Sequence, residues 1–499
     1  MTVKRIIGLA AVACAMAPLG ATAATRAGYD VAEKSIPQLK ADLAAGRVTS
    51  AELVRLYEAR IVKLDPKLHA VIAVNPLALK QAAASDAARR KGSPLGPLAG
   101  VPILLKDNIE TADPMATTAG SLALKDNVSG RDAPLAARLR AAGGIILGKT
   151  NLSEWANYRS SRSVSGWSGR RGQVRNPYAL DRSPCGSSAG SGSAAAASLA
   201  AAAIGTETDG SVTCPSAVNG LVGLKPTVGL ISRTHVVPIS HTQDTPGPMT
   251  RSVTDAAILL GVLAGSDPED AATAHADAVS HDYVSGLKAD ALKAQGAVLV
   301  DIKAFPNTVA IRGYERTILQ TDLKADLGAY LASTDPKKVR SRTLADLIAF
   351  NHAHAADEMP LFGQELFESS QETKGVTDTE YVKAVADAHR YAGPEGIDAM
   401  LKSADVVALL APTLGPAGMI DPILRDRSIG GGAGGPAAIS GYPHLTVPMG
   451  NVSGLPVGLS FIGTAWSEGR LLALGYAYEQ ATKARTPPTY AATIKPPGA

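Results

Sequence analysis

The stretch SPCGSSAGSGSAAAASLAAAAIGTETDGSVTCP, Ser183 to Pro215, carries the reading of this chain. From Gly186 to Thr213, 23 of 28 residues are Gly, Ala, Ser or Thr. Such a segment is either a flexible linker or a place packed so closely that only small side chains fit. The whole chain favours the second. Its 499 residues are 45% hydrophobic but only 4% aromatic, so its core must be filled by small side chains at short spacing. The alanine run predicts a tightly packed helix over Gly192–Ala203. Gly186-Ser187-Ser188-Ala189-Gly190 fits G-x-S-x-G, the sharp strand-to-helix turn that exposes a nucleophilic serine. That turn needs a strand before it, and Asp181-Arg182-Ser183-Pro184 is poor strand material. The pattern therefore does not make Ser188 a nucleophile.

Working outward, strands alternate with helices. Thr49-Ser50-Ala51-Glu52 reads as a capping box. Asn75-Pro76 opens a helix that Gly92 closes. Val101–Leu105 is an apolar strand running into Lys106-Asp107-Asn108. A helix starts at Pro134, and a strand follows over Gly144–Leu147. Ser252-Val253-Thr254-Asp255 opens another helix. Residues 265–400 are richer in charge and mostly helical, which predicts a helical cap or insertion. Strand signals return at Val406–Leu410, His444–Met449 and Val457–Ile462, and a last helix spans Glu468–Thr482. This alternation predicts an α/β fold.

The first residues read as a secretory signal. Lys4 and Arg5 precede the apolar run Ile6–Gly20, and Ala21-Thr22-Ala23 is a small-x-small cleavage site. The expected organisation is a signal over 1–23 and one domain over 24–499, exported to the periplasm or medium and free of the membrane after cleavage. The formal charge of +4 falls to +2 when Lys4 and Arg5 leave, and there is no long Lys/Arg run, so nucleic acid is not expected as a partner. Cys185 and Cys214 remain after Cys14 is removed. They are not a disulfide framework; one bridge or two buried thiols both fit.

Two further patterns fail on context. Gly143–Thr150 fits the P-loop spacing, but Ile145–Leu147 look like the strand itself, with amides committed to a sheet rather than to phosphate. Ser285-Gly286-Leu287-Lys288 fits S-x-x-K but lacks its partner motifs. No metal-ligand spacing is present, and no metal or cofactor is expected.

What remains is a serine activated by a lysine. A lysine works as a base near neutral pH only if burial lowers its pKa from about 10.4 by roughly 3. Lys106, closing an apolar strand, is placed for that. Gly100–Asp107, Thr117–Ser121, Gly148–Asn151, Arg175-Asn176-Pro177, the small-residue stretch, Gly223–Thr227, and Asp244, Gly247, Pro248, Arg251 and Asp255 together resemble the amidase signature family. Ala411-Pro412-Thr413 and Gly454–Gly458 fit as well. The wording Glu207-Thr208-Asp209-Gly210-Ser211 is most similar to the family's peptide amidase branch, which removes C-terminal amides from peptides.

The resemblance implies an α/β/α sandwich with a central mixed, mostly parallel sheet covered by helices. It implies a Ser–Ser–Lys triad of Ser211 as nucleophile, Ser187 as relay after a cis peptide bond, and Lys106 as base. Thr208, Asp209, Gly210 and Ser211 would supply oxyanion or substrate contacts. Many members have Ser-Ile-Arg after the nucleophile; here Ser211-Val212-Thr213 lacks that cation, which favours neutral peptide-like amides over acidic ones. Other small or aryl amides, and an amidotransferase-type chain that amidates charged tRNA, are the alternatives. Asp209 replaces a common glycine, and Trp155 reads as a core residue.

Overall fold

The computed structural model describes residues 28–290, 298–302, 304–426 and 432–494; the predicted signal lies outside them. The chain from Val31 onward forms one compact unit. Its strands are β1 (Val71–Val74), β2 (Pro102–Lys106), β3 (Ile145–Thr150), β4 (Trp167–Ser168), β5 (Gly172–Gln173), β6 (Ala202–Glu207), β7 (Val222–Lys225), β8 (Thr245–Thr250), β9 (Leu409–Pro412), β10 (His444–Val452) and β11 (Leu455–Ile462). Nine form one sheet in the order β1-β3-β2-β6-β8-β7-β10-β11-β9, while β4 and β5 make a separate ribbon.

The sheet is mixed, as expected, but its parallel pairing is confined to β3-β2-β6. The other neighbours pair antiparallel. For β10 and β11 the physical reason is connectivity: they form a hairpin, and hairpins pair only antiparallel. The parallel part is what builds the site. In register, Ile103, Leu104 and Leu105 face Ala202, Ala203 and Ile204, so β2 and β6 end at the same edge. Lys106 closes one strand there and Glu207 the other.

Helices cover both faces. Ala189–Ala196 and Thr213–Val218 lie on one side; Ala78–Arg90, Pro134–Ala141, Val253–Leu263 and Glu468–Thr482 lie on the other. The helix expected over Gly192–Ala203 is shorter and begins earlier, at Ala189–Ala196. Ser198, at φ +52°, turns the chain, and Ala202 and Ala203 enter the sheet. A poly-alanine run suits either structure, and the neighbouring strands decided it. The small residues are sterically required. A Cβ on Gly190 would come 2.3 Å from the Asn151 carbonyl and 2.4 Å from that of Ala70.

The P-loop-like segment is strand β3, and Lys149 is buried, donating to the Ile109 carbonyl and, at 2.9 Å, to Thr117 Oγ1. Among the described residues of 265–400, α-helices begin at Thr308, and residues 271–278 form a 3₁₀ turn. The Thr308–Ser333 helix packs its Leu319, Leu323 and Leu327 against Trp155, Phe367 and Leu347. Trp155 is therefore core, edge-on to Phe367 at 5.7 Å. Ser240 and Thr242 donate to Asp322 Oδ2 at 2.6 and 2.8 Å, and His241 Nδ1 lies 2.9 Å from Asp326 Oδ2, which pins this helix to the 240–244 turn.

Candidate active site

The site sits at the shared end of β2 and β6. Lys106 is wholly buried, and its Nζ lies 2.7 Å from Ser187 Oγ, 2.9 Å from Thr206 Oγ1 and 3.2 Å from the Thr206 carbonyl. Burial lowers its pKa to about 7, with Asp244 and Glu207 pulling the other way. The ammonium form is the one disfavoured by desolvation, so near neutrality a large fraction of Lys106 is a free amine. The Gly186–Ser187 peptide is cis. Ser187 is otherwise fixed through its carbonyl, which accepts from Ser153 N at 3.0 Å.

Ser211 lies on the turn after β6. Its carbonyl accepts from Ser188 N at 3.1 Å, which ties the two serine segments together. The hydroxyls of Ser187 and Ser211 are not hydrogen-bonded to each other. Glu207 Oε2 accepts from Val212 N at 2.7 Å and Thr213 N at 2.9 Å, clamping the start of the next helix and so the position of Ser211. Gly210 has φ +76°, a region where a side chain is strained, so the turn calls for glycine. Among the described residues, no acceptor takes up the backbone N–H of Asp209, Gly210 or Ser211. The same holds for the backbone N–H of Thr208, whose side chain is engaged: its Oγ1 donates to Asp244 Oδ1 at 2.6 Å. Asp244 in turn accepts from Ile239 N and Ser240 N at 2.8 and 2.9 Å.

The remaining serines are structural. Ser188 Oγ donates to the Thr206 carbonyl at 3.0 Å and accepts from Thr206 N at 3.2 Å. Ser191 and Ser193 donate to the carbonyls of Ile204 and Arg175 at 3.1 and 2.8 Å. Cys185 and Cys214 are paired in a disulfide with Cα atoms 6.0 Å apart. The bridge ties the segment just before Ser187 to the helix just after Ser211.

A cleft of about 1760 Å³ opens beside these residues, lined by Gly186, Asp209, Gly210, Thr213 and the disulfide. Across it stand Phe305, Ile311 and Glu315 of the helical region and Gly434–Pro436. Asp209 is exposed to this cleft. Its surroundings of protein, then the nearby Glu315 and Glu207 carboxylates, hold its carboxyl well above the usual range. Thr206, Glu207, Glu315 and His444 were not singled out from sequence as site residues. Thr206 and Glu207 could have been found by position, since they end the strand beside Lys106. Glu315 and His444 carry no local signal; only the fold brings them to the cleft.

A buried lysine on a serine hydroxyl, a second serine on a glycine turn and backbone N–H groups with no acceptor among the described residues thus meet at one end of the sheet. Residues 52–321 match the amidase family, and the chain belongs to it. It is an enzyme that hydrolyses amide C–N bonds. The crystal structure of the native peptide amidase from Stenotrophomonas maltophilia is 50% identical, with a TM-score of 0.86, over 92% of this chain and 99% of that one. A probable amidase of Arabidopsis thaliana is 38% identical, covering 93% of each chain. A glutamyl-tRNA(Gln) amidotransferase subunit from Myxococcus xanthus is 34% identical, covering 89% of this chain and 96% of that protein.

Proposed function

We propose that the protein is a serine amidase that removes the C-terminal amide of peptides as ammonia, with Ser211 as nucleophile, Ser187 as relay and Lys106 as base. The observation that carries this reading is the 2.7 Å contact between a wholly buried lysine and Ser187, beside the turn that holds Ser211. Neutral Lys106 accepts the Ser187 proton while Ser187 accepts that of Ser211, whose oxygen attacks the amide carbonyl carbon. The Ser187–Ser211 contact forms as substrate closes the site; such bonds are often open in free enzymes. The developing oxyanion is met by the N–H groups of Asp209, Gly210 and Ser211, each typically contributing about 3 kcal/mol in such holes. The C–N bond then breaks, ammonia leaves with the proton returned by Ser187, and water attacks the acyl-enzyme to release the carboxylate.

The peptide reading is favoured by the 50% identity to a peptide amidase, against 34% to the tRNA amidotransferase chain. A cleft of about 1760 Å³ with apolar walls such as Phe305 and Ile311 fits a peptide better than it fits acetamide. Export is part of the proposal, and the Cys185–Cys214 pairing supports an oxidising compartment. The test is ammonia release from a panel of peptide amides, acetamide and anilides. Peptide amides should be turned over fastest; activity on the simple amides alone would sink the peptide reading. Ser211→Ala and Ser187→Ala should each lower kcat by at least about 10⁴-fold. Full activity in Ser211→Ala would refute the assignment.

A further inference from the structure

The cleft holds acceptors that bond cleavage does not use. A Cβ on Gly434 would sit 3.5 Å from His444 Nδ1 and 3.9 Å from Asp209 Oδ1. One on Gly435 would sit 4.0 Å from Asp209 Oδ2. Imidazole and carboxylate therefore face one small volume that the two glycines keep open. Glu315, on the Thr308–Ser333 helix, borders the same cleft, and its carboxylate helps hold the Asp209 carboxyl above the usual range. Gln243 Nε2 donates to Glu315 Oε1 at 3.2 Å and to the Thr208 carbonyl at 3.3 Å, linking this pair to the nucleophile turn.

The state of His444 follows from its other nitrogen. Nε2 lies 2.6 Å from Ser460 Oγ, and that hydroxyl donates its own hydrogen to Thr413 Oγ1 at 2.9 Å. The serine oxygen is left to accept, so the imidazole hydrogen sits on Nε2 and Nδ1 carries a lone pair. Burial first, and then Lys225, push the His444 pKa down to about 3, which keeps the ring neutral. His444 is wholly buried, it lines the cleft, and among the described residues Nδ1 has no partner. Buried polar atoms are nearly always satisfied, so an unpaired acceptor at the cleft wall points to a donor that the described residues do not supply.

We propose that His444 Nδ1 and the Asp209–Glu315 carboxyl pair form a subsite that accepts hydrogen bonds from the N–H group on the α-carbon of the amidated residue. This deepens the peptide-amide reading and rests on it. The group is either a peptide N–H or a free α-ammonium; both donate. An ester oxygen in the same place would set lone pair against lone pair.

The experiment compares N-acetyl-leucinamide, its ester analogue O-acetyl-2-hydroxy-4-methylpentanamide, and leucinamide, reading kcat/KM from ammonia release. The N-acetyl amide should exceed the ester by at least about tenfold, because sites built to take a hydrogen bond reject analogues that lack the donor. Gly434→Ala supplies the blocking variant. Its φ of −75° suits alanine, and the added methyl fills the volume with ordinary contacts. The ratio should then fall to within about twofold. A wild-type ratio within twofold, or an unchanged ratio in Gly434→Ala, overturns the proposal. Glu315→Gln should lower kcat/KM for at least one N–H compound. A larger loss for leucinamide assigns the donor as ammonium, and a larger loss for N-acetyl-leucinamide assigns it as peptide N–H; no loss for either overturns the role of the pair. Calorimetric affinities of Ser211→Ala for the N-acetyl amide and its ester read the same preference without turnover. Failure of the amidase reading is thereby kept apart from failure of this one: equal affinities overturn the subsite whatever the enzyme cleaves.

Discussion

Replacing Lys106 by methionine keeps a long apolar side chain and removes the amine. The expected result is an inactive protein whose stability responds to pH differently from that of the wild type. The sign follows from the two states. In the unfolded chain Lys106 has a pKa near 10.4 and binds its proton throughout the neutral range. In the fold burial lowers the pKa to about 7. Between these values unfolding takes up a proton, which becomes harder as pH rises, so the wild type gains stability with pH. The gain is about 1.4 kcal/mol per pH unit, or on the order of 4 kcal/mol between about pH 7 and about pH 10. Lys106→Met lacks it. The loss of the three contacts to Ser187 and Thr206 adds an offset that does not vary with pH in this window. Lys225, lowered to about 8, titrates in both proteins and cancels in the difference. Denaturant unfolding of both proteins at several pH values from 7 to 9.5 supplies the comparison. A difference that stays flat within a few tenths of a kcal/mol would show that Lys106 remains charged in the fold, and the assignment of Lys106 as base would fall with it.

Other expectations follow from the same geometry. The acid limb of kcat/KM should have its midpoint near pH 7, where Lys106 loses its proton, and should vanish in the residual activity of Lys106→Ala; an unchanged limb would point to another base. Removing the disulfide by Cys185→Ser with Cys214→Ser frees a loop closed across a sequence separation of 29, which should lower stability by about 3–4 kcal/mol, read as a lower Tm against the intact protein. Gly190→Ala should be insoluble or destabilised by several kcal/mol, about the top of the range for single substitutions, because its Cβ meets the backbone of Asn151 and Ala70 within 2.4 Å; a normal Tm would mean that this helix is not held where it lies.

Much of the fold was legible because its signals are local. The capping box at Thr49 and Glu52 forms as read, with Glu52 Oε2 accepting from Thr49 N at 2.7 Å. The last helix runs over Glu468–Thr482, and the apolar run into Lys106 is a strand. Strands β6, β7 and β8 were not read. Their residues are rich in Ala, Gly, Pro and Thr, a mixture whose preference for strand is weak, and only pairing with neighbours makes them extended.

The sequence by itself set out the residues on which the proposed chemistry rests: a lysine at the end of an apolar strand, two serines 24 positions apart, and glycines where backbone must approach backbone. Burial on strand β2 and the pairing of β2 with β6 are tertiary facts, and they lower the lysine's pKa because desolvation depends on everything packed around it. Local sequence carries no trace of how much water a side chain will lose. For the same reason only the tertiary structure joined Cys185 to Cys214, committed Ser188 to the Thr206 backbone, and carried Glu315 and His444 from distant segments to the cleft that holds Asp209.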